Sequence, residues 1–431
     1  MTMSNLNRSV HLKGAIVIGL GSILGTGVFV SLGIAAHIAG QWIILAIFLA
    51  GLIAAFNGLS SAALASAHPV SGGAYEYGYT YLTPSLGFTA GWMFLIAKSA
   101  SAATAALGLS SYIRGLLGFI GVPVEIWPVR IVAFVLVLGI TFIAAAGIQR
   151  SAPANTFIVS ITLLALTYFI ITGIAHAISL KPNIAASLQP LDIADLLQST
   201  ALIFVAFTGY GRIATLGGEV VNPKRTIPIA VVATLGLTLL LYVGVALTGY
   251  VLLPSDSIVA QVNDAAPLAA RARSFTGGIG LAVLSLGAVS ALSGVLLNLL
   301  FGLSRVLFAM ARRADMPGVF AHVREKGSTP RNAVWAVGLL IAVLTLIGDI
   351  RITWSFSAFS VLVYYMITNM AALRIPAAEA IVPRWISWSG LFSCLLVVFF
   401  IDPWIWSVGI GIIGLGLIWH KVAIRSGYRK S

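Results

Sequence analysis

Charged side chains are scarce in this sequence. Asp, Glu, Lys and Arg together make up 9% of its 431 residues, whereas soluble globular domains carry about 25%. Hydrophobic residues make up 59%, and the mean hydropathy is +1.02. A chain of this composition does not offer enough polar side chains for a hydrated surface. The sequence therefore predicts an all-α integral membrane protein with many spans.

Cysteine is almost absent, since Cys394 is the single one. A single cysteine excludes a disulfide within the chain, and we interpret Cys394 as a small apolar side chain in a late span. The six histidines form no HExxH or paired metal-ligand spacing, so no metal site and no cofactor are predicted. A phosphate-cradling Gly-x-x-x-x-Gly-Lys-Ser/Thr element is also missing. The chain is therefore not expected to be an enzyme or an ATP-driven pump.

The apolar runs are long enough to cross a bilayer repeatedly, given that one crossing takes about 20 residues. The first run is too long for a signal peptide and is expected to be retained. The runs predict twelve transmembrane helices, at approximately residues 14–38, 41–67, 84–112, 129–147, 155–178, 197–218, 227–253, 276–306, 333–348, 353–373, 386–401 and 403–421.

Positive charge is unevenly distributed along the chain, whose formal net charge is +13. If the N-terminus is cytoplasmic, most of the Lys and Arg residues fall in cytoplasmic loops and tails, which is the positive-inside pattern. The basic excess thus indicates orientation and no nucleic-acid partner. We expect a multi-pass protein of the bacterial plasma membrane with both termini in the cytoplasm. Lys98 and Arg212 are the two basic residues placed within spans.

The first span contains a run of glycine and hydroxyl residues, from Gly21 to Phe29. Such a run is expected to break the helix, and backbone groups freed inside a bilayer need protein, water or a ligand as partners. Close helix packing is the alternative reading, because Gly21 and Gly25 also fit the small-xxx-small pattern.

A second glycine run, Phe207–Gly211, lies in the sixth predicted span. Two broken helices at corresponding positions are typical of inverted-repeat transporters. We therefore predict a five-plus-five inverted repeat, with spans 1 and 6 broken. The domain boundaries would be 1–195 for the tail and first repeat, 196–375 for the second repeat, and 376–431 for two accessory spans and the tail.

Four motifs resemble those of amino acid permeases of the amino acid-polyamine-organocation superfamily. Together they extend over most of the chain, so the resemblance is specific for the superfamily and much less so for the substrate. The motifs are Gly21-Ser22-x-x-Gly25-Thr26-Gly27-x-Phe29; Pro69-x-Ser71-Gly72-Gly73-x-Tyr75-x-Tyr77 with Gly87-Phe88-x-x-Gly91-Trp92; Gly218-Glu219-x-x-Asn222-Pro223-Lys224-Arg225-x-x-Pro228; and Ser304-Arg305-x-x-x-x-Met310-Ala311-Arg312 with Met316-Pro317.

The resemblance implies a site in which backbone groups bind an amino acid zwitterion. The carboxylate would sit on the amides of Thr26 and Gly27, beside Gly25, where the positive end of a half-helix favours an anion. The ammonium would be held by the carbonyls of Ile23, Val205 and Thr208. Around Gly209, the aromatic residues Phe204, Phe207 and Tyr210 would contact the substituent and gate access, unless they are ordinary packing residues.

Ionisable residues near this site are the candidates for coupling and gating. Lys98 either relays a proton, or replaces a sodium ion, or extends along a polar cavity. Some proton-dependent relatives carry a lysine in span 5, where this chain has Thr162. Arg212 either attracts a carboxylate or caps carbonyls of the broken helix, and Glu219 stands where the family has a structural and gating acid. Ser290 and Ser293 either contribute to a sodium site or bond between helices.

The predicted function is secondary active transport of amino acids by alternating access. Because the acidic residues map to loops or span ends, the site is poorly suited to a cationic substrate. Proton-coupled uptake of neutral amino acids is therefore favoured. An amino acid exchanger or exporter, including one for acidic or cationic amino acids or polyamines, is the alternative, and a channel or a transport-inactive sensor is a further one. The expected partners are the substrate, protons and the lipid bilayer.

Overall fold

A computed structural model describes residues 10–69, 72–123, 128–147, 152–180, 190–215, 220–252, 266–322 and 329–425. These residues form helices joined by turns, with an isolated β-bridge between Val10 and Val220. The α-helices are α1 (Leu12–Ile23), α2 (Leu32–Ala39), α3 (Ile43–Ala67), α4 (Ala74–Tyr81), α5 (Pro84–Phe119), α6 (Val129–Ala145), α7 (Ala152–Leu180), α8 (Ile193–Phe207), α9 (Gly211–Thr215), α10 (Pro223–Ala246), α11 (Pro267–Arg312), α12 (Arg331–Ile347), α13 (Ile350–Ala372), α14 (Arg384–Val398) and α15 (Pro403–Arg425).

Eight helical segments of the described residues are long and apolar enough to cross a membrane. The first, Leu12–Ala67, contains a tight turn at Gly40, whose φ of +54° suits glycine. Three further predicted spans coincide with the shorter apolar helices α6, α12 and α14. The all-helical membrane architecture is therefore present, and the count of twelve spans stays a prediction.

The structure contains two features that the hydrophobic pattern did not predict. The short helix α4 lies between α3 and α5, in a segment that the sequence assigned to a loop. Helix α11 begins before the predicted span and bends at Thr276 and Gly277, where Gly277 has a φ of +63°. The bend separates a short outer piece, which includes Pro267, from the long piece that continues to Arg312.

Helix α5 is the central packing element, with extensive contacts to α11 and α13. Buried polar bonds join neighbouring helices in the core. The Asn369 side chain of α13 donates to the Asn57 Oδ1 atom of α3 at 2.7 Å. The Cys394 thiol of α14 donates to the same atom at 3.4 Å. Cys394 is buried and free, in a late helix as the sequence predicts.

Candidate binding cavity

The first predicted span is interrupted in the middle of its length. Helix α1 ends at Ile23, and Leu24 takes extended backbone angles of φ −77° and ψ 91°. Hydrogen bonding resumes where the Phe29 N–H donates to the Gly25 carbonyl at 3.0 Å. The residues between them therefore form the N-terminus of a second half-helix, whose first amides have no acceptor within their own helix. Those amides belong to Thr26, Gly27 and Val28.

The sixth predicted span changes conformation at its glycine run. Helix α8 ends at Phe207, a 3₁₀ turn covers Thr208–Tyr210, and α9 follows. The Thr208 hydroxyl donates to the Val205 carbonyl at 2.7 Å. Gly209 lies so close to α1 that an added Cβ would be 2.5 Å from the carbonyl oxygen of Ser22. The two interruptions are therefore in direct contact.

Tyr242 of α10 bridges the two interrupted helices. Its hydroxyl donor lies 3.3 Å from the Ile23 carbonyl and 3.1 Å from the Ala206 carbonyl. A Cβ at Gly27 would meet the same hydroxyl and the Ala206 side chain. Tyr242 thus shapes the junction. The sequence alone did not identify it, because it lies in an apolar run with no feature that sets it apart from other tyrosines.

A cavity of about 810 Å³ opens beside this junction. It runs along one face of α11 from Val295, which packs against Gly25, towards the exposed residues Arg305 and Arg312. The residues that follow the α1 interruption, from Val28 to Ser31, are buried. The open end of the cavity therefore lies at the α4 and Arg312 end of the bundle.

The cavity wall carries more positive than negative charge. Lys98, from α5, donates to the Thr208 hydroxyl at 2.9 Å, within the second interruption. Among the described wall residues Glu76 is the only acid, and it forms an ion pair with Arg313 at 2.9 Å. The basic wall residues are Lys98, Arg212, Arg305, Arg312 and Arg313.

Most of the predicted site residues line this cavity. Those in the wall are Ile23, Thr26, Gly27, Lys98, Val205, Thr208, Gly209 and Arg212. Gly25 lies behind the wall against Val295. Ser290 and Ser293 lie on α11 outside the lining set, and Glu219 is outside the described residues. Placement in the wall brings these groups together, and their roles remain predictions.

The aromatic residues that the sequence predicted to contact the substituent do not line the cavity. Phe204, Phe207 and Tyr210 are fully buried and lie behind the wall. Their rings pack on other aromatic rings, with centroid distances of 5.6 Å from Phe204 to Tyr365 and 5.0 Å from Phe207 to Tyr242. The aromatic side chains that line the cavity come from other helices, and they are Phe94, Tyr77, Phe308, Trp354, Tyr364 and Tyr365.

Thr26 and Asn298 offer polar groups to the cavity. The Thr26 hydroxyl is buried and has no hydrogen-bond partner among the described residues. It stands at the start of the second half-helix, where backbone amides favour an anion. Asn298, on α11, is a wall residue that the sequence analysis missed, because no motif includes it. The wall thus combines free helix amides, a hydroxyl, an amide and a lysine.

Replacing Tyr242 with Phe is expected to lower both stability and substrate affinity. The change leaves the carbonyls of Ile23 and Ala206 without the single hydroxyl proton that they share, which costs about 1 kcal/mol of stability. The apparent unfolding temperature in detergent and the KM for uptake would measure the two effects. Tyr168→Phe is the matched control, because it removes a hydroxyl bond to Thr276 away from the cavity. Equal effects of both variants on KM would contradict a role for Tyr242 at the junction.

Comparison with known proteins identifies a matching family and several similar transporters. The family model described as "Amino acid permease" matches residues 14–425. An uncharacterized transporter of Mycobacterium tuberculosis is 36% identical over 97% of this chain and 91% of its own length. The methylthioribose transporter of Bacillus subtilis is 30% identical over 78% of this chain and 74% of its own length. The branched-chain amino acid permease of the same species is 28% identical over 79% and 75%.

Proposed function

Because this chain belongs to the amino acid permease family, we propose that it is a secondary active transporter that takes up neutral amino acids by alternating access. Membership of the family makes the chain a membrane-embedded amino acid permease and not an enzyme. The class of amino acid, the coupling ion and the direction of transport are the proposed part. The membrane is proposed to be the bacterial plasma membrane.

The proposed architecture has twelve spans, with spans 1–5 and 6–10 related as inverted repeats and spans 11 and 12 accessory. Residues 1–195, 196–375 and 376–431 would form the three parts. The interruptions after Ile23 and Phe207 support this division, since each falls in the first span of its repeat. With both termini cytoplasmic, the cavity mouth near Arg312 faces the cytoplasm.

The contact between the two interruptions is the observation that carries the proposal. The substrate carboxylate would accept hydrogen bonds from the amides of Thr26 and Gly27 and from the Thr26 hydroxyl. Its ammonium would bind the carbonyls of Ile23, Val205 and Thr208. In this conformation the Thr208 hydroxyl bonds the Val205 carbonyl, so the ammonium would take the place of that hydroxyl.

Proton coupling is proposed to pass through Lys98. Its ammonium reaches the second interruption through Thr208, so a change in its protonation acts directly on the proposed substrate carbonyls. Ser290 and Ser293, the candidates for a sodium site, do not line the cavity. Arg212, in the wall just after the interruption, and Glu219 are proposed to gate the cytoplasmic end.

The charge of the wall supports neutral substrates over cationic ones. A substrate with a second positive charge would meet several basic side chains, and the acid Glu76 is already paired. We expect leucine, serine or alanine to inhibit uptake at least about tenfold more strongly than lysine or arginine, which corresponds to about 1.4 kcal/mol. Inhibition constants against a labelled substrate measure this difference. Equal inhibition by lysine would overturn the proposed substrate class.

Uptake into liposomes tests the transport proposal itself. The purified protein would be reconstituted, and accumulation of a labelled amino acid mixture followed with and without an inward proton gradient. Accumulation driven by the gradient supports proton-coupled uptake. Uptake that needs internal amino acid and ignores the gradient supports the alternative of an exchanger. Passage without saturation or counterflow would indicate a channel.

A further inference from the structure

A buried ionisable cluster lies beside the cavity mouth, at the end of the bundle that is proposed above to face the cytoplasm. At its centre is Asp315, in the turn after α11. Its carboxylate accepts hydrogen bonds from the hydroxyls of Tyr75 at 2.6 Å and Tyr79 at 2.5 Å. The His420 Nδ1 atom of α15 lies 3.3 Å from its other oxygen, and both side chains are 2% exposed. Two ionisable groups are thus enclosed together within the protein.

The cluster joins α4, α5, α15 and the turn after α11. Asp315 joins the end of α11 to α4 through the two tyrosines. The Trp419 indole of α15 donates to the Asp315 main-chain carbonyl at 2.9 Å. The His420 ring stacks on Phe88 of α5, with centroids 4.5 Å apart. Helix α15 is therefore bonded to the turn that carries Asp315.

Helix α4, which the cluster holds, forms part of the cavity wall. Ala74, Glu76 and Tyr77 line the cavity near its mouth. The Glu76 side chain pairs with Arg313, whose guanidinium lies 4.3 Å from the centre of the Tyr79 ring. Movement of α4 would therefore change the mouth, and the contacts of Asp315 oppose that movement.

We propose that Asp315 and His420 form a proton-dependent latch that fixes α4 at the cavity mouth. When His420 carries a second proton, the buried carboxylate has a counter-charge, and the enclosed pair is neutral. When that proton leaves, the carboxylate keeps its tyrosine donors but loses the counter-charge, which makes its burial less favourable. The latch therefore strengthens as the cytoplasmic pH falls and weakens as it rises.

His420 is the proposed responsive member of the cluster, because histidine is the side chain that ordinarily changes charge near neutral pH. Asp315, in the turn after α11, faces His420 and is bound by Tyr75 and Tyr79 of α4. The Glu76–Arg313 ion pair lies beyond these tyrosines, with the Arg313 guanidinium over their rings. Helix α5 contributes the uncharged ring of Phe88, which stacks on His420 and on a second uncharged ring, that of Trp92. Arg312 and Lys421, which adjoin Arg313 and His420 in the sequence, are exposed. Burial, together with Asp315, raises the pKa of Tyr75 above its ordinary value. Tyr75 therefore remains a donor throughout the physiological range.

Hydrogen–deuterium exchange of the intact protein tests the latch without any substrate. We expect protection of residues 74–81 to fall about tenfold as the pH rises from about 6 to about 8, after correction for intrinsic exchange. His420→Gln should give low protection at both pH values. Asp315→Asn, which no longer needs a counter-charge, should make protection independent of pH. His176→Gln, at a histidine beside Phe275, is the control and should keep the wild-type response.

The outcomes separate the latch from transport. A pH response that persists in His420→Gln or in Asp315→Asn would overturn the latch, as would additive effects in the double variant. Unfolding of His420→Gln would appear as lost protection throughout the bundle, and Asp315→Asn would then decide the question. Because the readout requires no amino acid, failure of the proposed transport activity leaves this test intact.

Discussion

Gly27→Leu is expected to abolish amino acid uptake while leaving membrane insertion intact. A Cβ at this position would meet the Tyr242 hydroxyl and the Ala206 side chain. A leucine therefore forces the half-helix away from α8 and obstructs the approach of a carboxylate to the Thr26 and Gly27 amides. Losing two hydrogen bonds to a charged group costs about 3–6 kcal/mol, so affinity should fall more than about 100-fold. Initial uptake rates over a range of substrate concentrations measure this loss.

Two other glycine variants make the interpretation specific. Gly25→Leu should also abolish uptake, because its Cβ would meet Val295. Gly236→Leu, in α10, is the matched control, since a Cβ there has no neighbour within 4 Å. Insertion would be followed by membrane extraction and size-exclusion chromatography. Normal uptake by both Gly25→Leu and Gly27→Leu would refute the backbone site.

The interruptions could be predicted from the sequence because their causes are local. Gly25-Thr26-Gly27 and Gly209-Tyr210-Gly211 are rich in glycine, which weakens a continuous helix. A break inside a bilayer is costly unless its backbone groups find partners. The long helices could be predicted for a similar reason, since each is a long apolar run. Lys98 could also be identified from the sequence as a functional candidate, because a lysine in the middle of an apolar span is rare.

The aromatic part of the wall could not be predicted in the same way. The sequence indicated Phe204, Phe207 and Tyr210 because they adjoin the second interruption. Adjacency along a helix does not fix which face a residue presents, and all three are buried against neighbouring helices. Tyr364 and Tyr365 reach the cavity from α13. That placement depends on how α13 packs against α5, which is a long-range property.

Helix α4 and Asp315 were missed for a different reason. The segment from Ala74 to Tyr81 is only 8 residues long and rich in tyrosine, so it carries no membrane-span pattern. Asp315 appears in the sequence as one acid in a loop that is predicted to be cytoplasmic. Its burial results from contacts with Tyr75 and Tyr79, which lie far before it in the sequence, and with His420, which lies far after it.

Lys98→Ala is expected to eliminate uptake driven by a proton gradient while counterflow of amino acid persists. Lys98 is the titratable wall residue whose bond to Thr208 reaches the second interruption. Alanine removes the proton carrier but leaves the backbone groups of Thr26, Gly27 and Val205 in place. Counterflow needs no net proton movement, so the two assays separate coupling from binding. Both would be measured in the same liposome preparation, with the pH gradient as the single variable.

Lys98→Arg distinguishes a proton carrier from a fixed charge. Arginine keeps the positive charge and the capacity to donate to Thr208, but it does not release its proton at physiological pH. If Lys98 carries the proton, Lys98→Arg should lose gradient-driven uptake as Lys98→Ala does. If the charge alone is needed, Lys98→Arg should transport and Lys98→Ala should not. Gradient-driven uptake in Lys98→Ala would exclude both roles, because the driving force would then act through another group while Lys98 only supports the bond to Thr208.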